Sequence, residues 1–257
     1  MYRAYFLDLD GTVYRGSEPI PFAAEVLAEL RLRGAAIRFL TNNSAARPDA
    51  TAAKLNAMGI SAIPSEVISS ASATVRILRE LGHQAVFVVG EPSFVFTLRE
   101  AGITVVNAEA SGEVLANNVH ADAVVVGICR SLSYQLLDAA MQSVLSGAQF
   151  IATNLDATFP LEGGRISPGS GTMVAALELC TGVQPVVAGK PEPYLVEMLL
   201  QDLNLTASAA CVVGDRIDTD IECGIRAGCA THLVLTGVTH LAPPGLFWSE
   251  DLRGLLF

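Results

Sequence analysis

The chain has 257 residues, 51% hydrophobic and 16% charged, with a mean hydropathy of +0.44, which excludes a disordered or low-complexity polypeptide. Its 16 Lys and Arg against 26 Asp and Glu leave a net charge of −10, which excludes a general nucleic-acid binder relying on a basic stripe. The apolar runs at 85–89, 123–128 and 209–213 are strand-sized, far short of the roughly 20 residues that span a bilayer. Polar and charged residues arrive early, at Arg3, Asp8 and Asp10, which argues against a signal peptide. A soluble, cytoplasmic chain without membrane attachment is expected.

In chain order, the pattern predicts a strand over 3–9, then a helix over 22–33 with Ala24, Leu27 and Leu30 on one face and Gly34 as its stop. A strand over 35–41 and a helix over 44–58 follow, with Pro48 near the helix start and Gly59 past its end. A third helix over 69–81, a strand over 84–89, a helix over 93–101 and strands over 103–106 and 123–128 come next. Then follow a helix over 133–146, a strand over 149–153, a Gly- and Pro-rich loop over 154–169 and a helix over 170–181. A strand over 185–188, a helix over 193–203, a strand over 209–213, a helix over 218–227 and a strand over 230–235 complete the alternation. After Gly237 the signal weakens to a loop around Pro243-Pro244 and a short closing helix over 252–257. Alternation of strands apolar on both faces with helices predicts an α/β fold built on a mostly parallel sheet.

Five cysteines, an odd number without a Cys-x-x-Cys pair, read as reduced thiols, four of them in apolar stretches. The four histidines show no ligand spacing and read as surface or loop residues.

Three strand ends carry polar residues that a buried strand does not need. Asp8-Leu9-Asp10-Gly11-Thr12 places two carboxylates where a strand turns into a loop, and such a pair suits a nucleophile and a proton donor. Thr41-Asn42-Asn43-Ser44 joins a strand to a helix, where a hydroxyl and free N–H groups cradle phosphate. Gly214-Asp215 through Asp220 gives carboxylates at 215, 218 and 220 at a third such junction. Each cluster alone also reads as a turn former, a helix cap or a charged helix start. In open parallel sheets, ligands bind beyond the carboxyl ends of the strands, which brings all three to one mouth.

With these residues in view the chain resembles a haloacid dehalogenase superfamily phosphatase. Asp-x-Asp-Gly-Thr stands at 8–12, the second-motif Thr at Thr41, the third-motif Lys at Lys190 and the acidic fourth motif at Asp215 and Asp220, in the family's order. Thr41-Asn42-Asn43-Ser44, the run Thr153-Asn154-Leu155-Asp156 and Gly189-Lys190-Pro191 are similar to the NagD-like, p-nitrophenylphosphatase branch. Leu155-Asp156-Ala157-Thr158 departs from that branch, which more often carries Pro and Thr around the Asp. The resemblance implies a Rossmann-like parallel-sheet core from 1–74 and 183–257, with an α/β cap inserted at 75–182 for substrate selection.

It further implies an enzyme that hydrolyses small phosphomonoesters, of the sugar phosphate, phosphoglycolate or p-nitrophenyl phosphate type, through an aspartyl phosphate. Asp8 would be the nucleophile, Asp10 the proton donor, and Thr41, Asn42, Asn43 and Lys190 the phosphate-binding groups. Mg²⁺ would be held by Asp8, the Asp10 main-chain carbonyl and Asp215, with Asp220 behind them. The 154–169 loop would select the leaving group through Asp156, Thr158 and Arg165. The partner expected is a small phosphorylated metabolite, with neither nucleic acid nor membrane, and a homodimer is left open. A phosphotransferase or mutase on the same scaffold, and a non-catalytic phosphometabolite-binding module, are the alternative readings.

Overall fold

The computed structural model describes residues 1–117, 119–160 and 165–257. They form two compact units, one of Met1–Thr41, Pro48–Ile68 and Lys190–Phe257, the other of Asn42–Arg47 and Ser69–Gly189.

The first unit carries a six-stranded sheet in the order Trp248–Ser249, Ala230–Val234, Ala210–Gly214, Ala4–Asp8, Ala36–Thr41, Val67–Ser69. Ala4–Asp8 pairs in parallel with Ala36–Thr41 on one side and Ala210–Gly214 on the other. Both of its faces are covered: Ala4 to Leu7 are all buried, which explains a run of apolar residues without alternation. Tyr5, Leu7, Leu27, Leu30, Phe39, Leu55 and Val213 share one core, each large side chain contributing about 1.5–3 kcal/mol on burial. The chain leaves Ala4–Asp8 to build one side of the sheet and returns to build the other. The order therefore reverses at that strand, and its carboxyl end is where a ligand crevice is expected.

The second unit has its own five-stranded parallel sheet, ordered Val186–Val187, Gln149–Ala152, Ala123–Val126, Ala85–Val89, Thr104–Val105. Its core gathers Phe87, Val89, Val124, Phe150 and Leu177. Helices Ser70–Glu80 and Tyr134–Leu145 start on serine caps, with Ser69 accepting from Ser72 N and Ser133 from Leu136 N. Where the edge strand Thr104–Val105 stops, buried Asn107 takes over its pairing, accepting from Val88 N at 2.7 Å and donating to Val88 O at 2.9 Å.

Several elements depart from the sequence reading. The helix expected over 44–58 begins at Pro48 and runs to Ala57, because the residue before a proline disfavours helical backbone. Helix Ala23–Leu32 buries Ala23, Val26, Leu27 and Leu30, a face one step round from the expected one. The 154–169 stretch is not all loop: Thr158–Pro160 and Ile166–Pro168 pair as antiparallel strands, while residues 161–164 of it lie outside the described residues. The 218–227 helix opens with a π-helical turn, Ile217–Ile221, before Glu222–Arg226. His232 is not a loop residue; it sits in the Ala230–Val234 strand, half-buried, 2.7 Å from Ser249 Oγ. Four of the cysteines are buried and Cys180 is exposed. Among the described residues no helix is long and apolar enough to cross a membrane.

Candidate active site

Asp8 is the last residue of its strand, and Lys190 reaches it from the other end of the first unit's sequence. Lys190 Nζ lies 2.5 Å from Asp8 Oδ1 and 2.7 Å from Asp220 Oδ1. The lysine and Asp220 side chains are 3% and 2% exposed, that of Asp8 15%, so the nucleophile candidate is the most open of the three. Burial, reinforced by Asp220 and Asp215 and opposed by Lys190, holds the Asp8 carboxyl well above the ordinary aspartate range. Burial alone would lower the Lys190 ammonium, yet Asp220 and Asp8 outweigh it and keep the lysine raised and charged.

Asp215 follows the neighbouring strand, Ala210–Gly214, and is fully buried. Its Oδ2 accepts from Val238 N at 2.6 Å, and Thr12 Oγ1 stands 3.5 Å from its Oδ1. Burial, then the charge of Asp220, pushes Asp215 up to about 6. The π-helical turn aims Asp220 inward, where Oδ2 accepts from Arg216 N at 3.1 Å. Gly214 makes room for it, since a Cβ there would stand 2.2 Å from Asp220 Cβ. Asp218 turns away and pairs with Arg216 at 2.8 Å, largely in solvent.

Asp10 lies beyond the strand in the loop that closes as Gly11 N donates to Tyr14 O at 2.7 Å. The residue is exposed overall, but burial of its carboxyl raises it, against the pull of Lys54 and Arg15. Lys54 was not foreseen. Its Nζ sits 3.6 Å above the Tyr14 ring, so a cation from helix Pro48–Ala57 stands on the Asp10 loop. The signal for it was a lone lysine in an otherwise uncharged stretch between Ala50 and Ala57. Thr41 ends the strand beside Asp8, which pairs in register with Leu40.

Asn42 and Asn43 belong to the second unit. Asn42 Nδ2 donates to Asp156 Oδ2 at 3.0 Å, while its carbonyl accepts from Ser70 Oγ at 2.8 Å and Asn154 Nδ2 at 2.7 Å. Asn43 Oδ1 accepts from Ala45 N at 2.9 Å, a turn that ends the segment. Gly189 packs beside Asn42, where a Cβ would stand 2.5 Å from Asn42 Oδ1. Thr158 and Arg165 are exposed, Thr158 opposite Pro168 in the hairpin. The polar cluster of Asn42, Asn154, Asp156 and Ser70 thus unites two motifs that the sequence separates by more than a hundred residues.

Asp8, Asp215 and Asp220 each offer an oxygen within 4.8 Å of the others, while one ammonium, Lys190, lies among them. Three carboxylates around one lysine are short of positive charge, which adds to burial in raising Asp8 and Asp215. An all-oxygen donor set of this kind suits a hard cation such as Mg²⁺ rather than zinc. The residues present fit the ion, with Asp8 and Asp215 as the side chains that would hold it.

The comparisons with known proteins agree with this geometry. Residues 5–104 match the family model described as haloacid dehalogenase-like hydrolase, and residues 187–244 match a second, HAD-hydrolase-like model. The acid sugar phosphatase of Staphylococcus saprophyticus is 41% identical over 239 residues, covering 93% of this chain and 88% of that protein. The magnesium complex of a glycerol phosphate phosphatase from Mycobacterium tuberculosis superposes with a TM-score of 0.85 at 33% identity, over 99% of this chain and 77% of that one. NagD from E. coli K-12 superposes with a TM-score of 0.85 at 29% identity, over 98% and 97% of the two chains. The motifs, the acidic cluster at the sheet's reversal point and these likenesses together show that the chain belongs to the haloacid dehalogenase-like hydrolases, alongside NagD.

Proposed function

We propose that this protein is a Mg²⁺-dependent phosphatase of small phosphomonoesters that works through an aspartyl phosphate on Asp8. The observation that carries the reading is the Asp8–Lys190–Asp220 chain at the carboxyl end of the central strand, with Asp215 beside it. Uncatalysed phosphomonoester hydrolysis is slow enough to call for accelerations of up to ~10²¹, so covalent catalysis and dense charge stabilisation are in proportion.

Asp8 attacks phosphorus as the bond to the leaving oxygen breaks, and Asp10 gives that oxygen its proton. The loop places Asp10 two residues on, exposed to the substrate side, and its raised carboxyl favours holding a proton at entry. Asp10, now a carboxylate, takes a proton from water, which attacks phosphorus and frees Asp8. Lys190 keeps Asp8 in place and faces the charge that develops on the phosphoryl group. Thr41, Asn42 and Asn43 are assigned to the phosphoryl oxygens; the side chain of Asn42 is already fixed by Asp156. Asp8, Asp215 and the Asp10 main-chain carbonyl would hold Mg²⁺, which would supply Lewis-acid stabilisation of the phosphoryl oxygens.

The second compact unit, of which residues 75–182 form the greater part, is taken as the substrate-selecting cap. The partner class is a small phosphorylated metabolite, and neither nucleic acid nor membrane has a place in the reading, given a net charge of −10. Free, mostly buried thiols support a reducing, cytoplasmic setting. A homodimer would be read from the mass in solution.

The test is turnover of p-nitrophenyl phosphate with and without Mg²⁺. Mg²⁺-dependent hydrolysis is expected. A protein that binds phosphorylated metabolites but hydrolyses none, or that moves phosphate to an acceptor in preference to water, would replace this reading.

A further inference from the structure

The carboxylate of Asp215 lies in a slot between two glycines that are far apart in sequence. A Cβ on Gly237 would stand 1.9 Å from Asp215 Oδ2 and 2.3 Å from its Cγ. A Cβ on Gly11 would stand 2.6 Å from the same oxygen, and Gly11 also holds φ +91, a conformation side chains resist. The segment bearing Gly237 grips the residue further: Val238 N donates to Asp215 Oδ2 at 2.6 Å and Thr239 N to Asp215 O at 3.2 Å. The same segment is tied to the nucleophile loop, because Thr236 Oγ1 donates to Gly11 O at 2.6 Å and the Arg15 guanidinium donates to Thr236 O. Residues 236–239 therefore hold Asp215 against the loop that follows Asp8 and carries Asp10.

We infer that residues 236–239 are a positioning strap for the metal site: Gly237 and the Val238 N–H engage Asp215 Oδ2 and so set how the carboxylate faces the site, while Thr236 fixes the distance to the loop that follows Asp8. The inference rests on the reading of Asp215 as a metal ligand and names the residues that orient it. The catalytic steps proposed above use none of residues 236–239. Their effect is on which oxygen of Asp215 faces the site and how firmly. Outer partners of this kind typically set metal affinity by about 10- to 100-fold.

The test is calorimetric titration of the full-length protein with Mg²⁺ alone, on Gly237→Ala, Thr236→Val, Thr236→Ser and Asp215→Asn, with circular dichroism to check folding. Gly237→Ala is expected to weaken Mg²⁺ binding by about 10-fold or more, with kcat recovering at saturating Mg²⁺. Thr236→Val, which keeps the shape and loses the hydroxyl, is expected to weaken binding, and Thr236→Ser to retain it. Should Gly237→Ala fail to fold, the Val and Ser pair at 236 decides alone. Wild-type Mg²⁺ affinity in Thr236→Val, or in a folded Gly237→Ala, together with lost binding in Asp215→Asn, would overturn the strap and leave the ligand assignment standing. Wild-type affinity in Asp215→Asn would instead overturn the ligand assignment itself.

Discussion

Lys190 Nζ lies 2.7 Å from Asp220 Oδ1, and both side chains are almost wholly shielded from water. Asp220 thereby fixes the lysine that holds Asp8, acting on the nucleophile through one intermediary. Removing Asp220 takes away one of the carboxylates that compensate a buried ammonium, leaving Asp8 to hold it. Asp220→Ala should therefore cost about 3–5 kcal/mol of stability, measured by urea unfolding, and lower activity as Lys190 loses its anchor. A variant as stable as the parent would show that water or Asp8 alone satisfies the lysine.

Asp8→Asn keeps the shape and an oxygen for Lys190 but removes the nucleophilic charge. It should fold normally, retain less than about 1% of phosphatase activity and trap no acid-labile phosphate on the protein. Acid-quench trapping with labelled substrate checks the second point, and a labile phosphoenzyme on this variant would move the nucleophile elsewhere.

In metal-free protein Asp215 is raised to about 6 from an ordinary aspartate value. Its proton is held more tightly folded than unfolded, so its contribution to stability is complete below about pH 4 and declines as the pH rises through about 6. The loss is on the order of 3 kcal/mol across that window. Thermal melts in EDTA between pH 4 and 7 should show this decline in the wild type and a shallower one in Asp215→Asn, where the raised carboxyls of Asp8 and Asp10 remain. Mg²⁺ should raise the melting temperature more at pH 7 than at pH 5, since it binds the ionised carboxylates. An EDTA-treated enzyme that keeps full activity would contradict the metal assignment.

Burial pushes the thiols of Cys211 and Cys223 up to about 12 and that of Cys229 up to about 11, and raises Cys129 as well. Cys180 is exposed on helix Ser170–Thr181. Titration with an aromatic disulfide reagent should find one fast thiol in the native protein, absent from Cys180→Ser, and all five after unfolding. More than one fast thiol in the native protein would mean that a buried cysteine becomes accessible.

Asp156 holds Asn42 at 3.0 Å inside the second unit. Asp156→Ala should shift the ratios of kcat/KM among sugar phosphates, phosphoglycolate and p-nitrophenyl phosphate while Mg²⁺ affinity stays unchanged. Unchanged ratios across that panel would remove the 154–169 segment from substrate selection.

What the sequence determined by itself was the order of elements and the chemistry at their ends. Asp8, Thr41 and Asp215 stand where apolar, strand-length runs stop, and both the alternation of runs and the polar residues at their ends are local properties of the chain. The motif Asp-x-Asp-Gly-Thr, with Lys190 and Gly214-Asp215 downstream in order, carried the family on residue identity alone. Tertiary structure decided what depends on neighbours remote in sequence. The chain builds two parallel sheets, because pairing follows which strands meet, and apolar strands of similar composition carry no label for their partners. The hairpin of Thr158–Pro160 and Ile166–Pro168 was hidden by its prolines and glycines, which read as loop. Lys54 is a lone charge in its stretch, yet nothing there points to Tyr14, and nothing around Gly237 points to Asp215. Their roles come from contacts spanning tens or hundreds of residues, where distance and burial, not residue pattern, set the charge of a carboxylate and the direction it faces.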